Sequence, residues 1–140
     1  MPKPLVSKEN YLKKDLIIKK SKIPNSGKGV FTKVDIEKDD VITEYTGEKV
    51  SHTIGTARMI LGQSNSILYL NKKYFIDSRT DKDCITTFIN DAEGLHKTKY
   101  ENNVIMVRAN GRIYVVAKRD IKKGEELFIS YGKKYWESYE

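Results

Sequence analysis

The chain has 140 residues, 39% of them hydrophobic and 32% charged, and its formal net charge is +7. This length suits one domain with one core, and no apolar run approaches the roughly 20 residues of a membrane-spanning helix, so no membrane contact is expected. A single cysteine, Cys84, excludes an internal disulfide or a multi-cysteine zinc cluster within the chain, and His52 and His96 are too few and too far apart to suggest a metal site. The first residues lack the apolar core of a secretory signal, so a reducing intracellular compartment is expected.

The charge is uneven. Residues 1–22 hold seven lysines against Glu9 and Asp15, a net of +5, which leaves +2 for the other 118 residues. A basic arm over residues 1–15 is either a solvated segment or a weak contact for nucleic acid or a nucleosome. No aromatic platform is interleaved with its lysines, which argues against base-specific recognition.

In chain order, "DLIIKKSKI" predicts a first strand and "PNSGKG", Pro24 to Gly29, a turn. "VFTKVDIEKDDVITEYTGEKV" alternates short β-rich runs with charged turns. From Ser51 to Ser66 the pattern weakens, and "TARMILG" suits a short helix. "LYLNKKYFID" resumes β character. "DKDCITTFINDAEG" predicts a helix capped by Asp81 or Asp83, with Ile85, Phe88 and Ile89 on one face. "NNVIMVRANGRIYVVAKRD" predicts a hairpin turning at Asn110-Gly111, the pair that a type I′ turn favours. "ELFISY" is the last strand, followed by an aromatic segment over residues 133–140. Many short strands, few helices and no βαβ alternation make the class mainly β.

One internal echo stands out. "DIEKDDVITEY", Asp35–Tyr45, resembles "DIKKGEELFISY", Asp120–Tyr131, with one residue inserted. Both run from a charged turn through an apolar strand to a tyrosine. The two tyrosines either converge on one site or the echo is only repeated turn chemistry. No phosphate-loop pattern, Ser-His-Asp set or Cys-His set is evident, so any chemistry must use tyrosine, asparagine and backbone groups.

Taken in order, the segments resemble the SET domain of protein lysine methyltransferases. The family's G-x-G turn into a "GVFA"-like strand appears as Gly27-Lys28-Gly29-Val30-Phe31, and its "EY-x-GE" as "EYTGE", Glu44 to Glu48. "ILYLNKKYFIDS" resembles its "Y-L-F…IDA" stretch, "TFINDAE" its "RFINHS" segment, and "GEELFISYG" its "GEEL-x-x-DYG". The similarity runs from about Ile17 to Trp136, and the ending "SYGKKYW" resembles minimal SET proteins of large DNA viruses and some bacteria. The resemblance implies a SET-domain (β-clip) fold over residues 16–132, with short strands in small sheets, a small helical insert and a knot-like C-terminal segment.

It also implies a function, transfer of methyl groups from S-adenosylmethionine to lysine on a protein substrate. A histone tail is the favoured substrate, with histone H3 first, and a nuclear or host-nuclear location then follows. A non-histone lysine and a catalytically silent binding module are the alternatives, and the protein is expected to be a monomer or homodimer. The resemblance makes Tyr131 the catalytic tyrosine, with Tyr45 and Tyr69 on the lysine channel. It assigns cofactor contacts to Gly27, Lys28, Gly29, Asn90, Asp91, Tyr131 and Trp136, the last near the adenine.

Neutralising a lysine at pH 7 costs roughly 4–5 kcal/mol from its ordinary pKa of about 10.4, and a narrow aromatic channel lowers that cost by desolvating the ammonium. Asp91 stands where the family has histidine, Thr87 where it has arginine, and Ile67 where many relatives have tyrosine. These departures bear on cofactor binding more than on fold. Ile129, two before Tyr131, cannot anchor a water as a tyrosine would, so products beyond monomethyl-lysine are expected.

Overall fold

The computed structural model describes residues 12–63, 66–82, 84–94 and 98–131. Its strands are β1 (Leu16–Lys20), β2 (Lys28–Thr32), β3 (Val41–Glu44), β4 (Glu48–Ser51), β5 (Ile67–Tyr69), β6 (Tyr74–Asp77), β7 (Val104–Ala109), β8 (Arg112–Ala117) and β9 (Glu126–Leu127), with one helix, α1 (His52–Ile60). They form three antiparallel three-stranded sheets in the orders β1-β2-β9, β3-β8-β7 and β4-β6-β5. The mainly β class, the small sheets and the small helical insert are therefore as expected.

The main core gathers Val30, Ile36, Ile42, Ile89, Val104, Val115, Ile121, Leu127 and Ile129 from the first two sheets and the segments between them. A smaller cluster of Tyr45, Leu70, Ile76, Cys84 and Ile113 joins the third sheet to β8. After β9 the chain passes between Asn90 and Val104, through parallel bridges of Phe128 to Asn90 and of Ile129 to Val104. This is the described part of the C-terminal segment expected to be knot-like.

The β7–β8 hairpin turns as its sequence dictates, since Asn110 and Gly111 have φ of 54° and 73°, both positive as a type I′ turn requires. The echo has a structural counterpart of another kind. Ile36 and Ile121 exchange both backbone hydrogen bonds at 2.8 Å. Asp35 accepts the backbone N–H of Lys123, and Asp120 that of Lys38, each at 2.8 Å. Asp39 and Gly124, at matching places, both have positive φ, 73° and 91°. The two charged turns thus have the same geometry and pair with each other about a local pseudo-two-fold axis.

Two local expectations change. The helix expected over residues 81–94 is a single 3-10 turn, Ile85–Phe88, whose N-cap is Cys84 with no side-chain capping bond. Asp81 does not cap it, and Asp83 lies outside the described residues. Tertiary pairing overrides the helical pattern here. Ile89 leaves the turn with extended dihedrals and Asn90 is drawn into a bridge with Phe128, while Phe88 stays 40% exposed. Conversely α1 begins earlier than the sequence suggests, because the Ser51 hydroxyl caps it by accepting the N–H of Ile54 at 3.2 Å.

Helix α1 is tied down by a buried carboxylate. Asp77, 2% exposed, accepts from Arg58 Nη1 at 2.8 Å, the Ser66 hydroxyl at 2.7 Å and the N–H of Arg79 at 3.0 Å. Burial alone would push its pKa up, but these three donors outweigh burial and hold it below the ordinary carboxylate value. A depressed folded-state pKa gives stability that is fully present above the unfolded value of about 3.9 and is lost as pH falls towards the folded one. Asp77→Asn turns an N–H donor towards Arg58 and is expected to cost about 1.5–3 kcal/mol at pH 7. Denaturant melts should show the gap to wild type closing below about pH 4. A gap that persists unchanged in acid contradicts the linkage.

Candidate functional site

Three segments meet at Tyr131. Its hydroxyl donates to the carbonyl of Ile89 at 2.7 Å, and its backbone N–H donates to Asp91 Oδ2 at 2.9 Å. Between those two residues, the Asn90 side chain donates to the carbonyl of Lys28 at 3.0 Å, and the Asn90 carbonyl accepts the N–H of Ile129 at 2.9 Å. The structure therefore brings together Lys28, Asn90, Asp91 and Tyr131. The turn before them favours glycine at position 27, where φ is +64°.

Gly29 is held to glycine from a direction the sequence did not suggest. A Cβ there would collide with the carboxylate of Glu126 on β9 and lie 2.9 Å from its Cδ. Glu126 is 3% exposed and cannot turn aside cheaply. It accepts the Ser21 hydroxyl at 2.7 Å and the N–H of Lys22 at 2.9 Å. The glycine-rich turn and the "GEEL" strand are thus one packed unit, and Tyr131 lies five residues beyond Glu126.

Tyr45 belongs to the smaller cluster, which Cys84 of the 84–91 segment joins. It is 5% exposed, and its hydroxyl donates to the Ser66 carbonyl at 2.6 Å. The Ser78 hydroxyl is 2.8 Å from the same oxygen. Since the single phenolic proton goes to Ser66, Ser78 is the donor in that contact. Burial pushes the Tyr45 pKa up, which keeps the phenol neutral. Cys84 packs in the Tyr45 cluster and Ile89 receives the Tyr131 hydroxyl, so one segment links the two tyrosines. Burial also pushes the Cys84 thiol up, so it is an unreactive core group. Ser66, Ser78, Cys84, Thr87 and Phe88 border an open cavity of about 650 Å³ beside Tyr45.

Tyr69 is not brought to this site. It is 47% exposed and stands edge-on to His52 and Phe75, with ring centroids 5.7 and 6.3 Å away. Its neighbour Leu68 packs on the Tyr45 cluster instead. Successive strand residues point to opposite faces, so a displacement of one residue exchanges the two. Ser66, Ser78 and Leu68, which meet Tyr45 or its cluster, were not among the expected residues. The signal available for the serines was their position at the two ends of the β5–β6 unit, where chains of this kind leave backbone groups to be satisfied. Trp136, with Tyr135, Tyr139 and the rest of the aromatic segment, lies outside the described residues, as does the arm up to residue 11. The arm's last four residues, Leu12–Asp15, form a 3-10 turn, and the Asp15 carbonyl accepts the N–H of Lys33 at 2.7 Å.

The donor set suits a sulfonium cofactor. Around Tyr131 it offers an electron-rich phenolic oxygen and backbone carbonyls, with the Asp91 carboxylate engaged by the Tyr131 N–H and the Lys28 and Asn90 segments locked together beside them. Among the described residues no group of three or more His, Cys, Asp or Glu is placed to hold a metal ion.

A family model described as the SET domain matches residues 27–132. The chain is 30% identical over 135 residues to a histone-lysine N-methyltransferase EZH2 of Chaetomium thermophilum, covering 87% of this chain and 8% of that protein. It is 30% identical over 142 residues to the N-lysine methyltransferase KMT5A-B of Xenopus laevis, covering 95% of this chain and 39% of that protein. A solved structure, a humanized mutant of the Chaetomium thermophilum Polycomb Repressive Complex 2 bound to the inhibitor GSK343, is similar with a TM-score of 0.65 at 29% identity. That match covers 84% of this chain and 15% of that one. The chain thus spans less than half the length of each of these relatives.

Proposed function

The chain belongs to the SET-domain family, and from that premise we propose that it is a protein-lysine N-methyltransferase using S-adenosylmethionine, with a histone tail, histone H3 first, as its substrate. The observation that carries the proposal is the Tyr131 hydroxyl fixed on the Ile89 carbonyl, next to the Asn90–Lys28 junction. When bound, S-adenosylmethionine supplies an electrophilic methyl group on a positively charged sulfur. Lys28, Gly29, Asn90 and the backbone at Asp91 would hold it. Tyr131 spends its proton on Ile89, which leaves its oxygen lone pairs as acceptors that favour positive charge nearby.

Neither tyrosine serves as a base. Tyr45 is buried and neutral, with its proton on the Ser66 carbonyl. Desolvation of the substrate ammonium against these rings lowers its pKa, water takes the proton, and alignment of amine and methyl supplies the rest. Relatives named as histone-lysine N-methyltransferases support the histone choice, and a nuclear or host-nuclear site of action goes with it. The basic arm is proposed as a weak nucleosome contact. Incubation with labelled S-adenosylmethionine and a panel of core histones and ribosomal proteins tests the substrate. Label on ribosomal proteins alone would overturn the histone choice and leave the reaction standing.

Product state follows from Ile129, which is 3% exposed and packs in the main core, against which Tyr131 also rests. An apolar side chain there cannot hold a water against a methylated amine. Wild type is expected to pass monomethyl-lysine and accumulate higher states at long reaction times. Ile129→Tyr should stall at monomethyl, at about 1–3 kcal/mol of lost stability from overpacking, while Ile129→Val should match wild type. Peptide mass spectrometry reads both, and an unchanged distribution in Ile129→Tyr contradicts control by this position.

A further inference from the structure

The acidic residue at position 91 has an unusual set of partners. Among the described residues its carboxylate receives donors from both sides. Oδ2 accepts the backbone N–H of Tyr131 at 2.9 Å, while Oδ1 accepts the N–H of Glu93 at 2.9 Å and Asn102 Nδ2 at 3.0 Å. Asn102 is itself fixed, because its Oδ1 accepts the N–H of Ala92 at 2.8 Å and its own N–H donates to Glu93 Oε2 at 2.7 Å. The anchor behind Asp91 is therefore a closed loop of hydrogen bonds over residues 91–93 and 102. Tyr131 is gripped at both ends by one three-residue segment, the phenol by the Ile89 carbonyl and the backbone by the Asp91 carboxylate.

We infer that Asp91 is a positioning residue for Tyr131: its carboxylate sets where the strand end, and hence the phenolic oxygen, stands. The inference rests on the methyltransferase reading of the site. It also gives the departure from the family's histidine a physical content. The groups of Glu93, Asn102 and Tyr131 that meet Asp91 are all donors, and a carboxylate offers two oxygens to receive them, whereas a neutral imidazole has one acceptor nitrogen. Tyr131 follows a two-residue strand and two single bridges, so few ladder bonds hold it. A charge-assisted bond to its N–H is the local substitute.

Asp91→Asn isolates this tether. The amide keeps its single oxygen for Glu93 and Asn102, two donors, and turns its NH₂ towards the Tyr131 N–H, where donor meets donor. The full chain is compared with this variant by steady-state kinetics, thermal melting and ¹⁵N-tyrosine NMR, with the Tyr131 amide assigned from its loss in Tyr131→Phe. In Asp91→Asn the Tyr131 amide should shift and exchange faster. The kcat should fall about 10- to 100-fold, with KM for peptide and cofactor within about threefold, as misalignment of a reacting group implies. Asp91→Ala, which frees the loop as well, should lose the same kcat and melt lower. A Tyr131 amide unchanged in Asp91→Asn overturns the tether. A shifted amide with wild-type kcat overturns its role in positioning. A wild-type protein that methylates no lysine overturns the reading of the site itself, and with it any positioning role, whatever the amide does.

Discussion

Tyr131→Phe is expected to abolish most methyl transfer, by at least about 100-fold in kcat, because the oxygen that aligns the reacting groups is gone. The fold should survive. The variant loses the hydrogen bond from the phenol to the Ile89 carbonyl, worth about 0.5–1.5 kcal/mol. The ring keeps its packing against the main core, and the backbone bond to Asp91 does not depend on the hydroxyl. Kinetics together with a thermal melt separate the two effects. A near wild-type rate would remove Tyr131 from the chemistry, and an unfolded variant would recast its hydroxyl as mainly structural.

Gly29→Ala is expected to cost about 3–5 kcal/mol of stability, the sum of overpacking and a disrupted charge-assisted bond. The added methyl meets the Glu126 carboxylate, and Glu126 can yield only by releasing Ser21 and the N–H of Lys22. Replacing Glu126 by alanine removes the obstacle, at the cost of leaving those two donors without their acceptor. In that background Gly29→Ala should cost far less, a coupling of at least about 1–3 kcal/mol in a double-mutant cycle. Equal costs in both backgrounds would mean that the glycine answers to something other than Glu126.

These two positions show how far the chain could be understood before its structure. The glycine pair was visible as a turn, and its resemblance to a cofactor-binding turn supplied one reason for Gly29. The other reason, a buried carboxylate 97 positions away on β9, has no local signature. The Asn110-Gly111 hairpin was legible because its turn type is set by two adjacent residues. The paired turns at Asp35 and Asp120 were legible as chemistry but not as partners, since pairing is a property of the fold. The segment from 81 to 94 misled because apolar residues at i, i+3 and i+4 suggest a helix face. Here Ile89 is instead held by the core and Asn90 by a bridge to Phe128, just beyond β9. The placement of Tyr69 turns on a still smaller matter: on a three-residue strand, one position decides whether a side chain faces the Tyr45 cluster, as Leu68 does, or the ring cluster with His52, as Tyr69 does. Asp91 was legible as a cofactor-contact position and a departure from histidine but not as a tether, because the donors from Glu93, Asn102 and Tyr131 are assembled only in the folded chain.

The most direct measurement is tandem mass spectrometry of a core-histone mixture incubated with the full chain and a donor carrying a deuterated methyl group. The protein described here should place the deuterated methyl on the ε-nitrogen of lysine, and Tyr131→Phe at equal concentration should not. Deuterated methyl found only on another atom, or on lysine equally with both proteins, would contradict a lysine methyltransferase that works through Tyr131.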